Sequence, residues 1–335
     1  MGRRGGWKIN DQKWACARTI ARHEIFMPFP YGAGCGFRYG GMTDCVAQRR
    51  AQYSRTVSRT TLIINADDFG FSTGITDGIL ESHRAGILTS TTLMATMPDA
   101  LRAAALAREC PDLGVGIHLC LTQGTACAGG LRALTDAHGQ FPPTVSKLFI
   151  TLARRRHALA DCEMEWSAQV EKAMAAGIVP THLDSHKHVH HWPPLANIAL
   201  RVAGRFNIPA IRAAREIEIP EVSRPWPYRG VAALAQRLAR RAAEANIRVT
   251  DWFFGLSTTG ATDWAVWQRL IENCPPGIGE IMVHPGYISG LTTRDTRLLA
   301  QRTVEQQALC NPSVKAALDA HGIAGATYRA LSMKA

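Results

Sequence analysis

No run of ~18 uninterrupted apolar residues occurs in the chain, so nothing in it reads as a membrane span. The Arg3-Arg4 pair is followed by no apolar stretch of the kind a signal peptide carries. Nine cysteines form no CxxC pair, and three of them (Cys16, Cys35 and Cys45) precede residue 60. That odd, scattered set fits reduced thiols in a cytoplasmic protein better than a disulfide framework. The GxxxxGK[ST] phosphate loop and the HExxH zinc helix are both missing, and no segment is read as a serine nucleophile elbow. What remains is a composition 46% hydrophobic and 19% charged, ordinary for a chain that buries one large core.

The formal charge of +11 suggests nucleic acid until its distribution is read. Residues 1–60 hold 11 Lys/Arg against 3 Asp/Glu, whereas the remaining residues hold 27 against 24. The basic excess belongs to the leader, no nucleic-acid-binding motif accompanies it, and nucleic acid is set aside as a partner.

Residues 1–58 are rich in Gly, Arg and aromatics, without a sustained period of 2 or 3.6. They read as a poorly ordered extension or as the product of an upstream start codon, Met42 offering an internal start. From residue 59 to 335 the texture is that of βαβ units in a single domain. Short apolar runs at 61–66, 113–119, 180–185, 208–213 and 280–284, with a weaker one at 88–95, predict strands. Helices are expected at about 73–86, 99–109, 161–177, 193–206, 231–247, 262–274, 293–309 and 312–321. Gly177 suits the end of the third, and Asn311-Pro312 the cap and first turn of the last. The stretch 124–160 reads as an insertion or surface loop.

The chemistry-bearing residues fall where such strands end, which is where a parallel α/β barrel gathers its active site. The first run ends in Asp67-Asp68, the second in His118, the third in Asp184 and His186, the fourth in Arg212 and the last in His284. Adjacent carboxylates on a strand face opposite ways unless the chain bends, and Phe69-Gly70 permits a bend. The same pair could instead cap a helix, although Ser72 or Thr73 could do so in its place. Five of the ten residues from His182 to His191 are histidines, and His186, His188 and His190 would share a face if the strand continued. Such imidazoles suit zinc or a related divalent ion, with Asp184 able to orient one of them through its second nitrogen. His118 alone could be a core histidine, and His284 alone an ordinary turn residue.

Taken together, Asn-Ala-Asp-Asp-Phe-Gly (65–70), Gly-Ile-Leu-Thr-Ser-Thr-Thr-Leu-Met (86–94), Gly-Ile-His-Leu (116–119), Thr-His-Leu-Asp-Ser-His-Lys-His-Val-His (181–190) and Val-His-Pro-Gly-Tyr (283–287) resemble the YdjC-like carbohydrate deacetylases. The resemblance runs from about Thr61 to Ser332. It implies a deformed (β/α) barrel holding one divalent ion, zinc or magnesium. By motif, Asp68, His118 and His186 match the metal ligands, Asp67 the base that activates water, and His284 the acid that protonates the leaving amine. Asp184, His188, Arg212 and Tyr287 are expected as substrate or supporting residues. The expected reaction is removal of acetyl groups from N-acetylated sugars, chitooligosaccharides or related acetylglucosaminyl compounds. Peripheral membrane contact follows if the substrate is a glycolipid, and a homodimer is the assembly the family suggests. Two other readings compete: a barrel metalloenzyme such as a sugar isomerase or phosphoesterase, and an inactive sugar-binding protein. The last predicts loss of Asp67 or His284, and both are present. Trp226, Tyr228 and Trp252 are candidates for stacking on sugar rings.

Overall fold

The computed structural model describes residues 60–222 and 225–333, leaving aside the side chains of 225–229. These residues belong to the compact unit from Thr56 to Ala335. The extension read at 1–58, Trp226 and Tyr228 therefore lie outside the described residues or side chains. In chain order come β1 (Thr60–Phe69), α1 (Thr73–Arg84), β2 (Ser90–Leu93), α2 (Ala100–Ala107), β3 (Gly114–Leu119), α3 (Val145–Arg154), α4 (Ala158–Ala175) and β4 (Leu183–Ser185). After a 3-10 segment over His186–His191 follow α5 (Pro193–Arg205), α6 (Pro225–Glu244), β5 (Trp252–Phe254), α7 (Trp264–Asn273) and β6 (Gly277–Val283). The chain closes with α8 (Ala300–Leu309), α9 (Pro312–Ala320) and the short β7 (Ala324–Gly325).

All strand pairings of the sheet are parallel, in the order β4-β3-β2-β1-β6-β5, with β7 also pairing to β1. β1 sits at the centre, and from Leu62 onward both its faces are buried, which is why it reads as a continuous apolar run. The expected run at 208–213 is not a regular strand. It makes isolated bridges instead: Ile211 pairs with Leu183 of β4, Ala210 with Arg248, and Glu216 with Phe253 of β5. Arg212 N donates to Leu183 O at 2.8 Å and Ile217 N to Phe253 O at 2.9 Å, so this irregular segment joins the two open edges of the sheet. The result is the deformed α/β barrel that the family resemblance implied.

Several local expectations need correction. The stretch 124–160 is not merely a loop: Thr144 caps α3 by accepting from Lys147 N at 3.2 Å, and Leu148 and Leu152 bury one face of it. Two such apolar positions four apart in a short segment carry too little periodicity to outweigh the Gly-rich stretch before them. β5 was missed because three residues are too short to show a period. Its Trp252 is buried, so it packs the core and offers no face to a sugar. The last turn of α4 does end at Gly177, whose φ of +88° only glycine adopts readily. Asn311 caps α9 by accepting from Ser313 N at 2.9 Å.

α1 fixes the far side of the barrel mouth. A Cβ at Gly78 would lie 2.6 Å from the Cα of Gly286, and one at Gly74 2.5 Å from the carbonyl oxygen of Tyr287. The two glycines thus let the helix lie directly on the turn that follows His284. Among the described residues no helix is long and apolar enough to cross a membrane.

Candidate metal centre and active site

β1 delivers its two carboxylates by leaving strand geometry at the second of them. The register with β2 shifts between Ala66 and Phe69, and Asp68 itself has φ +71°, followed by Gly70 at +85°. The bend therefore begins at Asp68 rather than at Phe69-Gly70. A left-handed aspartate is tolerable because its short polar side chain suits that region better than bulkier ones do. Neither carboxylate caps a helix. Ser72 caps α1, its Oγ accepting from Ile75 N at 3.4 Å. Gly70-Phe71-Ser72-Thr73-Gly74 fits the letters of the GxSxG nucleophile elbow, but Ser72 is engaged in this cap.

Three side chains converge above β1, β3 and β4. Asp68 Oδ1 lies 3.3 Å from His186 Nδ1 and 3.6 Å from His118 Nε2. Each can offer one ligand atom to an ion, all within 4.8 Å of one another. Asp68 Oδ1 is buried and accepts no hydrogen bond among the described residues, an arrangement a cation would satisfy. Of the three, His186 is the most open, its side chain 16% exposed, and so faces the mouth. One carboxylate and two imidazoles make a donor set suited to a divalent metal with open positions. A second potential set, Asp67, His118 and Asp184, is less available because Arg212 already binds both of its carboxylates.

The third-strand histidine is held by the expected partner. His118 Nδ1 donates to Asp184 Oδ1 at 2.7 Å, turning Nε2 toward Asp68, while Thr92 Oγ1 of β2 donates to Asp184 Oδ2 at 3.1 Å. The histidine-rich segment does not continue as a strand. Lys187 and His188 take φ of +58° and +54°, which separates the three imidazoles expected on one face. His186 stays with Asp68. His188 packs against Phe253, with ring centroids 6.4 Å apart. His190 bonds Ser185 Oγ at 2.6 Å and Arg212 O at 2.9 Å, and so braces the backbone.

Arg212 is the hub beneath. It is fully buried, its two terminal nitrogens each 2.7 Å from an oxygen of Asp67, and it also reaches Asp184 Oδ2 at 2.7 Å and Glu280 Oε1 at 2.8 Å through Nε. It therefore supports Asp67 and Asp184. Asn65 Nδ2 adds a bond to Asp67 Oδ1 at 3.0 Å. Burial by itself would raise the pKa of Asp67, but the guanidinium beside it overrides burial and holds the carboxylate well below its usual range. Tyr287, in the turn that follows His284, is 37% exposed and its hydroxyl donates to Glu81 on α1.

Sequence reading missed Glu280, Arg302, Glu305 and Tyr328. Glu280 is bonded by Arg212 and by the Tyr328 hydroxyl, and a charged residue inside an apolar run was its one visible signal. Arg302 and Glu305 come from α8 and have no local signal; Arg302 Nη2 bonds Asp68 Oδ2 at 2.5 Å, and Glu305 accepts from His284 N at 2.5 Å. His284 directly follows β6, with Nδ1 buried and unpartnered among the described residues, and burial lowers its pKa to about 4.

Four buried carboxylates (Asp67, Asp68, Asp184 and Glu280) thus face two guanidiniums, a surplus of acid that favours a cation. His118 expresses it: burial alone would lower its pKa, but Asp184 first, then Asp67, raise it to about 9. A metal on Nε2 must displace that proton, so affinity should fall roughly tenfold per pH unit as pH drops below the pKa, with about one proton released per ion. Calorimetry of zinc binding in buffers of different ionisation enthalpy checks this; binding without proton release near pH ~7 would contradict it.

The family model for YdjC-like proteins matches residues 61–320. The chain belongs to the YdjC-like family. Within it, a carbohydrate deacetylase of Geobacillus stearothermophilus is 34% identical over 270 residues, covering 80% of this chain and 96% of that protein. A carbohydrate deacetylase of Vibrio cholerae serotype O1 is 33% identical over 271 residues, covering 81% and 96%. Among solved structures, one from Enterococcus faecalis V583, provisionally assigned to cellobiose-phosphate cleavage, superposes with a TM-score of 0.65 at 28% identity, covering 82% of this chain and 99% of that one.

Proposed function

We propose that this YdjC-like protein is a cytoplasmic, metal-dependent hydrolase that removes the acetyl group from N-acetylated sugars. The observation that carries the reading is the convergence of Asp68 Oδ1, His118 and His186 on one point, with a second carboxylate, Asp67, at the next residue. Carbohydrate deacetylases at 33–34% identity over most of the chain supply the substrate class.

A divalent ion held by Asp68, His118 and His186 would supply the Lewis acid that polarises the acyl carbonyl. The chain's own residues then handle protons. Asp67, kept ionised by Arg212, accepts a proton as water adds to the acyl carbon. The C–N bond breaks, acetate is left, and the departing nitrogen needs a proton. His284 is neutral at rest, because burial lowers its pKa to about 4. The proton it gives the amine is therefore one it gains during the reaction, and the water that adds to the acyl carbon is its source.

Acetate release from N,N′-diacetylchitobiose, with and without chelator and with zinc or magnesium restored, tests the reaction. Release that chelator abolishes and metal restores supports it; no release from a protein carrying one bound ion overturns this substrate. Asp67→Asn should keep metal and lose about 10²–10⁴-fold in kcat. Unchanged turnover would remove Asp67 from the base role.

A further inference from the structure

Asp68 has two oxygens, and the fold treats them differently. Oδ1 faces both imidazoles and has no hydrogen-bond donor among the described residues. Oδ2 is taken by Arg302 Nη2 at 2.5 Å. Arg302 is 1% exposed and comes from α8, whereas His118 lies in β3 and His186 directly follows β4. Its direction is fixed by the segment that leads into α8, since Nε donates to Leu298 O at 3.1 Å, and its guanidinium carbon lies 6.0 Å from the centre of the Phe71 ring. Three residues along α8, Glu305 holds the backbone amide of His284 and that of Thr262. One face of α8 therefore fixes both Asp68 and the turn carrying His284.

A carboxylate with both oxygens free can chelate a metal through both, which fills a coordination position that substrate or water needs. We propose that Arg302 is a positioning residue that restricts Asp68 to a single ligand oxygen, keeping a coordination position open at the cost of metal affinity. The inference rests on the metal reading of Asp68, His118 and His186. It differs from the usual role of a residue near a metal ligand, whose loss weakens binding. Removing Arg302 takes away a positive charge close to the ion and frees Oδ2, and both changes favour tighter binding.

The test is metal binding without substrate, using cobalt(II) as a spectroscopic stand-in for zinc, in the full chain and in Arg302→Met and Arg302→Lys. The expected result for Arg302→Met is a cobalt affinity about tenfold tighter or more, on the Coulomb scale for a charge a few ångströms away. Its visible d–d bands should weaken, as coordination number rises, and acetate release should fall. Arg302→Lys keeps a charge that can reach Oδ2, and should return spectrum and affinity toward wild type. Should the Met variant not fold, Arg302→Leu, which likewise removes both the charge and the donor to Oδ2, gives the same comparison. A folded Met or Leu variant whose cobalt spectrum is unchanged, or whose affinity falls, overturns the role of Arg302 while leaving the metal site standing. Wild type that binds no cobalt, or binds it equally well after Asp68→Ala, overturns both.

Discussion

Replacing Asp68 with alanine is expected to abolish metal binding and acetate release together, the largest activity loss of any single change in this protein. Asp68 supplies the only carboxylate of the Asp68-His118-His186 set, and it is also the partner of Arg302. Without it, two imidazoles must hold the ion beside an uncompensated guanidinium. In the proposed reaction a bound ion would contribute several kcal/mol to the transition state as Lewis acid, so its loss should lower kcat by ~10³-fold or more. His186→Ala should follow the same course, while His188→Ala, which removes a ring packed on Phe253, should leave metal content near wild type. Metal content by atomic emission and acetate release, measured on the same samples, decide the matter. Full metal content in Asp68→Ala would sink the ligand assignment, and loss in His188→Ala alone would move the ligand to His188.

The gathering of these residues was more legible in the sequence than the frame that gathers them. Asp67, Asp68, His118, Asp184 and His186 stand at strand ends inside short apolar runs, and a parallel barrel brings strand ends together whatever the details between them. The strand at 208–213 was legible as an apolar run but not as the irregular bridge it forms, since hydrogen-bonding to Leu183 on one side and Arg248 on the other leaves no periodic mark. The spread of the histidines was also hidden. Strict alternation puts His186, His188 and His190 on one face, and two successive left-handed residues, Lys187 and His188, undo it. Neither is glycine, so nothing local announced the turn. Arg302 lies 234 residues from Asp68 in sequence, and only the closing of the barrel reveals the pair.

Arg212→Met should be the most destabilising substitution in the chain. Arg212 binds Asp67, Asp184 and Glu280, all within the buried interior, and its own carbonyl accepts from His190 Nε2 at 2.9 Å. Methionine fills much of the volume but leaves the carboxylates facing each other without a counter-charge. Breaking a buried ion pair from one side typically costs about 3–5 kcal/mol, a large share of the ~5–15 kcal/mol that holds a folded domain. The pH dependence gives the cause away. For Asp67 the largest influence is burial, which raises its pKa, and Arg212 is what overrides it. In the variant the folded-state pKa should rise above the unfolded one, so folding favours the protonated acid. The deficit relative to wild type opens as pH rises above the depressed folded-state pKa of Asp67 in wild type, grows through the unfolded pKa, and levels off past the raised folded-state pKa of the variant. Urea unfolding at pH ~5 and ~8 should show the variant losing more at the higher pH. A stability within about 1 kcal/mol of wild type at both would mean the carboxylates do not depend on Arg212, and that their ionisation in the folded protein is held by something else.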